Sequence, residues 1–240
     1  MSLLHINYFS TALQKQSAMY VLLPEAEPPY RVVYQLHGLS DDYTIWLRRT
    51  NIERHAESAQ LMVVLLDGAR SFYCDMQREM GNYEQHILEA VSFVDRTFHT
   101  DARADARGIG GLSMGGYGAM KLGLKYPQIF GSVASHSGAL DMATLYRERF
   151  WPELAGIFGE NINPADDCFQ LAAREGDKPA IYFDCGTDDT LISHNRDFHQ
   201  HLADLQIRHC YREFPGNHNW DYWEKHIHAA LLFHRKQFRL

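Results

Sequence analysis

Gly111-Leu112-Ser113-Met114-Gly115 fits the G-x-S-x-G spacing that presents a serine hydroxyl at a sharp strand-to-helix turn. An apolar run, Gly108 to Leu112, leads into the serine, and a helix-compatible run follows it. Side chains at Gly111 and Gly115 would collide with neighbouring backbone in such a turn. The turn lifts the hydroxyl above the sheet and leaves the Met114 amide at a helix N-terminus. There, free N–H groups and the helix dipole favour a developing negative charge. The chemistry on offer is nucleophilic attack on an acyl carbon. Five residues with three fixed positions recur by chance, so the partners must decide.

A serine nucleophile needs a base, and the base needs a carboxylate. His218 sits in Pro215-Gly216-Asn217-His218-Asn219-Trp220, after the last expected strand and just before the final helix. In that place it can act as general base toward Ser113 and then as general acid toward the leaving group. The other histidines lack this order, loop and glycine neighbour; His199, His201, His226 and His228 fall in helical stretches and read as surface residues. The acid is expected between the serine and the histidine. Asp184-Cys185-Gly186-Thr187-Asp188-Asp189 closes a late strand, with Asp184 inside the strand itself. Asp188 and Asp189 both follow the turn, and the physics of the sequence barely separates them, since an Asp-rich turn also serves its own hydrogen bonds. A second oxyanion donor comes from Leu36-His37-Gly38-Leu39, where Gly38 lets backbone approach the substrate and Leu39 offers its N–H beside that of Met114. His37 precedes the serine and reads as a brace for this loop. Trp46, Tyr73, Met114, Phe150 and Trp151 are the candidate walls of a small acyl pocket.

These residues need a sheet whose strand ends bring them together. Short apolar runs alternate with amphipathic ones, which implies an α/β fold with a mostly parallel central sheet and helices on both faces. Leu3 to Phe9 and Ala18 to Leu23 read as an opening hairpin at the sheet edge. Arg31 to Leu36, Leu61 to Leu66, Arg107 to Leu112, Ile129 to Ser135, Ala180 to Cys185 and Arg208 to Phe214 supply the remaining strands. Helical spacing runs through Asn82 to Phe98, Gly115 to Tyr126 and Trp220 to Phe238, with Pro127 stopping the second. Between about residues 140 and 178 the pattern breaks down, and we read an insertion over the sheet, a small cap or lid-like loop. The 240 residues suit a single domain spanning the whole chain, and no internal repeat or linker is visible.

Composition narrows the partners. With a net charge of −7 and no basic block, general affinity for nucleic acid or an anionic membrane is not expected. The four cysteines are scattered without a CxxC pair, no HExxH or regular His/Asp ligand set appears, and no cofactor or metal is expected. No run reaches transmembrane length, and the first residues lack a signal-peptide pattern, so a cytoplasmic protein is expected. The expected ligand is a small-molecule ester, with a homo-oligomer left open.

Taken together, Leu36-His37-Gly38-Leu39-Ser40, the run from Trp46 to Arg54, Gly111 to Gly118, and the run from Gly216 to Trp223 resemble the esterase D-like, "putative esterase" branch of the α/β-hydrolases, nearest to the small bacterial tributyrin (acetyl) esterases. The resemblance spans nearly the whole chain. It implies an α/β-hydrolase fold and oxyanion amides from Leu39 and Met114. In that branch the acid lies three residues after the glycine of a Gly-x-x-Asp turn, which from Gly186 is Asp189. It implies hydrolysis of short acyl esters, acetyl to butyryl, through an acyl-enzyme. Thioester hydrolysis of the S-formylglutathione kind, carbohydrate acetyl or feruloyl ester hydrolysis and acyl transfer are the rival activities. Formylglutathione hydrolases carry Thr-Cys where this chain has Ser40-Asp41, which counts against that role. A binding-only scaffold would have lost the serine or the histidine, and this chain keeps serine, acid and histidine.

Overall fold

The computed structural model describes residues 1–76 and 81–238. Among them, eight strands form one sheet: β1 (Ser2–Ser10), β2 (Lys15–Leu23), β3 (Val32–Leu36), β4 (Met62–Leu66), β5 (Arg107–Leu112), β6 (Ser132–His136), β7 (Ala180–Gly186) and β8 (His209–Phe214). Their order across the sheet is β1-β2-β4-β3-β5-β6-β7-β8. The expected opening hairpin is there: β1 pairs antiparallel with β2, and β2 pairs antiparallel with β4. Every other pairing is parallel.

Side chains alternate across the central strands and feed two cores. Val32, Tyr34, Leu36, Met62, Val64 and Leu66 point to one face, where Ile87 and Val91 of the Tyr83–Phe98 helix and Met120 and Leu122 of the Met114–Lys125 helix cover them. Val33, Val63 and Leu65 point to the other, against Ile52 and Ala56 of the Ile52–Ala59 helix and Ile227 and Leu231 of the Trp220–Gln237 helix. Burial on both faces is why these strands read as near-continuous apolar runs.

This topology places the site. β3 and β5 are neighbours, with Leu36 opposite Gly111, and the strand order turns back at β3. In open α/β sheets, ligands bind beyond the carboxyl ends of strands at such a reversal. The loops after β3, β5, β7 and β8 all open at that end.

Residues 140–178 are better ordered than the sequence pattern suggests. They hold three short helices, Met142–Arg147, Leu154–Phe158 and Cys168–Ala173, which bury Leu145, Leu154, Ile157, Phe158 and Leu171 in the main core. The Tyr117 hydroxyl donates to Asp166 O at 2.6 Å and pins the segment to the helix after the elbow. One surface reading is corrected: His226 is buried, its ring stacked 4.3 Å from that of Phe214. Its i, i+4 neighbours Tyr222 and Ala230 are buried too, so it lies on the core stripe of its helix.

Buried charge makes the fold acid-sensitive. Lys121 is fully buried, 2.8 Å from Glu84 and 3.4 Å from Asp166. Burial pushes the Glu84 carboxyl up, but the Lys121 charge and bonds from Lys121, Lys125 and Tyr126 bring it down to about 2 from an ordinary 4.5. Burial likewise lowers the His234 imidazole to about 3 from 6.5. In both cases the unfolded chain binds more protons than the folded one as acid is added, so stability falls with falling pH. His234 acts from pH 6.5 down, and Glu84 acts below 4.5 as pH falls toward 2. Urea midpoints measured from pH 7 to 3 should therefore decline continuously. Glu84→Gln should cost about 3–5 kcal/mol at neutral pH, because the buried Lys121 ammonium loses its nearest carboxylate and keeps only the longer pair with Asp166. A wild-type midpoint that stays level to pH 3 would contradict this account.

Candidate active site

Ser113 stands at the end of β5 with φ 52° and ψ −115°, a conformation that non-glycine residues rarely adopt. Strain of this kind costs on the order of 1–3 kcal/mol and persists only where its surroundings enforce it. Here the Ser113 N–H donates to His136 O at 2.9 Å, and Ser113 O accepts from Tyr117 N at 3.0 Å. The two glycines of the motif are steric requirements. A Cβ on Gly111 would lie 2.4 Å from Gly115 backbone, and one on Gly115 would lie 2.6 Å from His37 O. The second contact packs the elbow directly against the loop after β3.

Ser113 Oγ lies 3.0 Å from His218 Nε2, and His218 Nδ1 lies 2.9 and 3.0 Å from the two Asp189 oxygens. Asp189 is buried, and its Oδ1 also accepts the Leu191 N–H at 2.8 Å. Burial pushes its carboxyl up, but the His218 bond and charge, with bonds from Leu191 and Ser137, hold it below the usual carboxylate range. The Asp188 side chain is exposed and points away, while its N–H donates to Gly216 O at 2.9 Å and joins the acid loop to the histidine loop. Asp184, within β7, serves another partner: its oxygens bond His136 Nδ1 at 2.8 Å and the Tyr222 hydroxyl at 3.0 Å.

Leu39 and Met114 both lie at the mouth of the elbow. Among the described residues, neither N–H is taken by a protein acceptor. A Cβ on Gly38 would come within 2.7 Å of Leu112 and 3.9 Å of Ser113 Cβ, so glycine allows this close approach. His37 braces the loop: its ring bonds Gly38 O at 2.7 Å and, through Nε2, the Asp67–Gly68 turn.

Above Ser113 opens a groove of about 610 Å³ lined by Leu39, Asp41, Arg70, Phe150, Trp151, Trp220 and Trp223, among others. Burial raises the Asp41 carboxyl there. The wall assignments need correction in part. Trp151 and Phe150 do line the groove, carried in by the 140–178 segment. Trp46 does not: it is fully buried, its Nε1 donates to Leu36 O at 3.0 Å, and its ring backs Trp220 edge-on at 5.2 Å. Tyr73 is fully buried behind the loop after β3, because Gly68 and Gly118 make room for its ring. The Met114 side chain points into the core. Sequence reasoning missed Trp220 and Trp223 as walls, although both fell inside the quoted Gly216–Trp223 run. Trp223 stands edge-on to the His218 ring at 5.0 Å, and its Nε1 donates to the Ser137 hydroxyl at 3.2 Å. Ser137, held at φ 49°, carried no signal in the sequence.

The arrangement can deprotonate a serine as it attacks an acyl carbon, reprotonate a leaving group and receive an oxyanion on two backbone amides. Among the described residues, no three His, Cys, Asp or Glu side chains converge to hold a metal ion. No described helix is long and apolar enough to cross a membrane.

The sheet order, the strained elbow at the strand reversal and the serine–histidine–carboxylate chain define the α/β-hydrolase class. A family model described as putative esterase matches residues 10–234, and the chain belongs to that family. It is 29% identical over 258 residues to an acetyl esterase of Caldicellulosiruptor saccharolyticus, covering 96% of this chain and 97% of that protein. Among solved structures it is similar to FphF, a fluorophosphonate-binding serine hydrolase of Staphylococcus aureus, with TM-score 0.90, 27% identity and 98% of each chain covered. The S-formylglutathione hydrolase FrmB of the same organism superposes with TM-score 0.88 at 27% identity, again over 98% of each chain.

Proposed function

We propose that the chain is a serine carboxylesterase acting on short acyl esters, acetyl to butyryl, through an acyl-enzyme on Ser113. The observation that carries this reading is the unbroken chain from Ser113 Oγ through His218 to the buried Asp189 carboxylate, at the floor of an open groove. In the first half-reaction, Ser113 Oγ bonds to the acyl carbon while its proton passes to His218 Nε2. The tetrahedral oxyanion sits on the Leu39 and Met114 amides. Its collapse expels the alcohol, which takes the proton from His218. Water then repeats the sequence and releases the acid. Asp189 holds the imidazole in the Nδ1–H tautomer and stabilises the imidazolium.

The short-chain preference rests on the groove. Trp223 stands edge-on to His218 and to Trp220, Trp46 backs Trp220, and the two indoles Trp220 and Trp223 wall the groove on the histidine side, where we place the acyl chain. The acetyl esterase relative supports the same substrate class. A thioester reading draws on the likeness to the formylglutathione hydrolase, but Ser40-Asp41 stands where the resemblance implies a Thr-Cys pair for that activity, and Asp41 places a carboxylate in the groove. A p-nitrophenyl ester series from acetate to octanoate tests the preference. The expected kcat/KM is highest between acetate and butyrate and falls steeply by octanoate. A profile that rises to octanoate, or S-formylglutathione turnover far above every ester, would replace this reading.

A further inference from the structure

The loop after β4 holds three non-glycine residues at positive φ: Ala69 at 44°, Phe72 at 52° and Tyr73 at 56°. Backbone in this region is costly and is kept where the surroundings over-determine it. The Ser71 hydroxyl donates to Gly68 O at 2.6 Å and accepts the Tyr73 N–H at 2.9 Å. The Tyr73 ring is clamped between Gly68 and Gly118, where a Cβ would come within 2.2 and 2.5 Å of it. The result of this contortion is a three-point grip on the oxyanion loop. The Gly68 N–H donates to His37 Nε2 at 2.9 Å, the Tyr73 hydroxyl donates to His37 O at 3.0 Å, and Arg70 Nη1 donates to Leu39 O at 3.2 Å. The same guanidinium also holds Glu153 of the 140–178 segment, with Nε 3.0 Å from its carboxylate and Nη2 also bonded to it.

We propose that Tyr73 and Arg70 are positioning residues for the Leu39 amide, and that Arg70 also ties that amide to the 140–178 segment through Glu153. This rests on the role given to Leu39 in the proposed function. An oxyanion donor is worth about 10²–10³ in kcat, and a displacement of about 1 Å can forfeit 10². The peptide planes on either side of the one that carries the Leu39 N–H are held through His37 O and Leu39 O, and that plane's own carbonyl, Gly38 O, bonds His37 Nδ1 at 2.7 Å. Arg70 is 53% exposed, so its ion pair adds little to stability. Its contribution lies in geometry, and the two effects separate experimentally.

Arg70→Gln is expected to lower kcat about 10- to 100-fold with KM within about threefold and an unchanged Tm. Arg70→Lys should recover part of the loss, since an ammonium can still donate to Leu39 O. Glu153→Gln should lower kcat alone and add nothing in the Arg70→Gln background. Tyr73→Phe, which keeps the ring and removes only the hydroxyl, should weaken binding of a boronic acid transition-state analogue in step with kcat while product carboxylate binding stays level. Wild-type kcat in both Arg70→Gln and Tyr73→Phe would overturn the inference, as would a raised KM at unchanged kcat. Ser113→Ala, run alongside, keeps the two claims apart. If it is inactive while the Arg70 and Tyr73 variants behave as wild type, only the positioning claim falls. If it keeps full turnover, the serine esterase reading falls and takes this inference with it.

Discussion

Ser113→Ala should lower kcat by about 10⁴- to 10⁶-fold while substrate affinity stays close to wild type. The size follows from the proposed mechanism: the hydroxyl is the atom that bonds to the acyl carbon, and among the described residues no other nucleophilic side chain stands in its place 3.0 Å from His218 Nε2. The groove and the Leu39 and Met114 amides proposed to receive the oxyanion survive the change, so residual turnover above the uncatalysed rate is expected from them. Folding should be unaffected, because the bonds that enforce the turn come from the Ser113 backbone, to His136 O and from Tyr117 N. Steady-state kinetics beside a thermal melt separates the two effects. A loss of only tenfold in a folded variant would remove Ser113 from the centre of the reaction.

The second large effect separates two adjacent aspartates. Asp189→Asn should lower kcat about 10⁴-fold. The amide presents a donor as readily as an acceptor to His218 Nδ1, which favours the tautomer whose Nε2 carries a proton and cannot accept one from Ser113. Asp188→Asn should leave turnover near wild type, because that side chain is exposed and only its backbone N–H does structural service, to Gly216 O. The depressed Asp189 carboxyl adds a sign: any loss of activity from its protonation should appear only below the ordinary carboxylate range. Comparable losses in the two variants would undo the assignment of the acid.

The features legible in the sequence were those fixed by local sterics and by order along the chain. Gly111 and Gly115 have no room for a side chain, and a strand must enter Ser113 before a helix can leave it. Apolar runs such as Leu61 to Leu66 reveal strands covered on both faces. His218 was found because its loop follows the last strand. Choosing between Asp188 and Asp189 needed a family pattern, because which of two neighbours faces the histidine depends on how the turn docks on Gly216. The aromatic walls were the least legible. Trp46 and Trp220 each lie in the first turn of a helix, yet one backs the other, and only the packing of those two distant helices decides which lines the groove. Tyr73, read as a pocket wall, and His226, read as a surface residue, are both placed by packing: the Tyr73 ring is clamped between Gly68 and Gly118, and the His226 ring stacks on Phe214 of the last strand. The grip of Arg70 on Leu39 and Glu153 spans 31 and 83 positions, beyond any local pattern.

The central claim is that Ser113 carries the acyl group between the two half-reactions. Rapid quenching in acid during turnover of p-nitrophenyl acetate, followed by peptide mass spectrometry, tests it directly. The account predicts an acetyl adduct on the peptide containing Ser113, formed with the initial burst of p-nitrophenol and absent from Ser113→Ala. Sustained turnover with no adduct at Ser113, or an adduct that persists in Ser113→Ala, would contradict it.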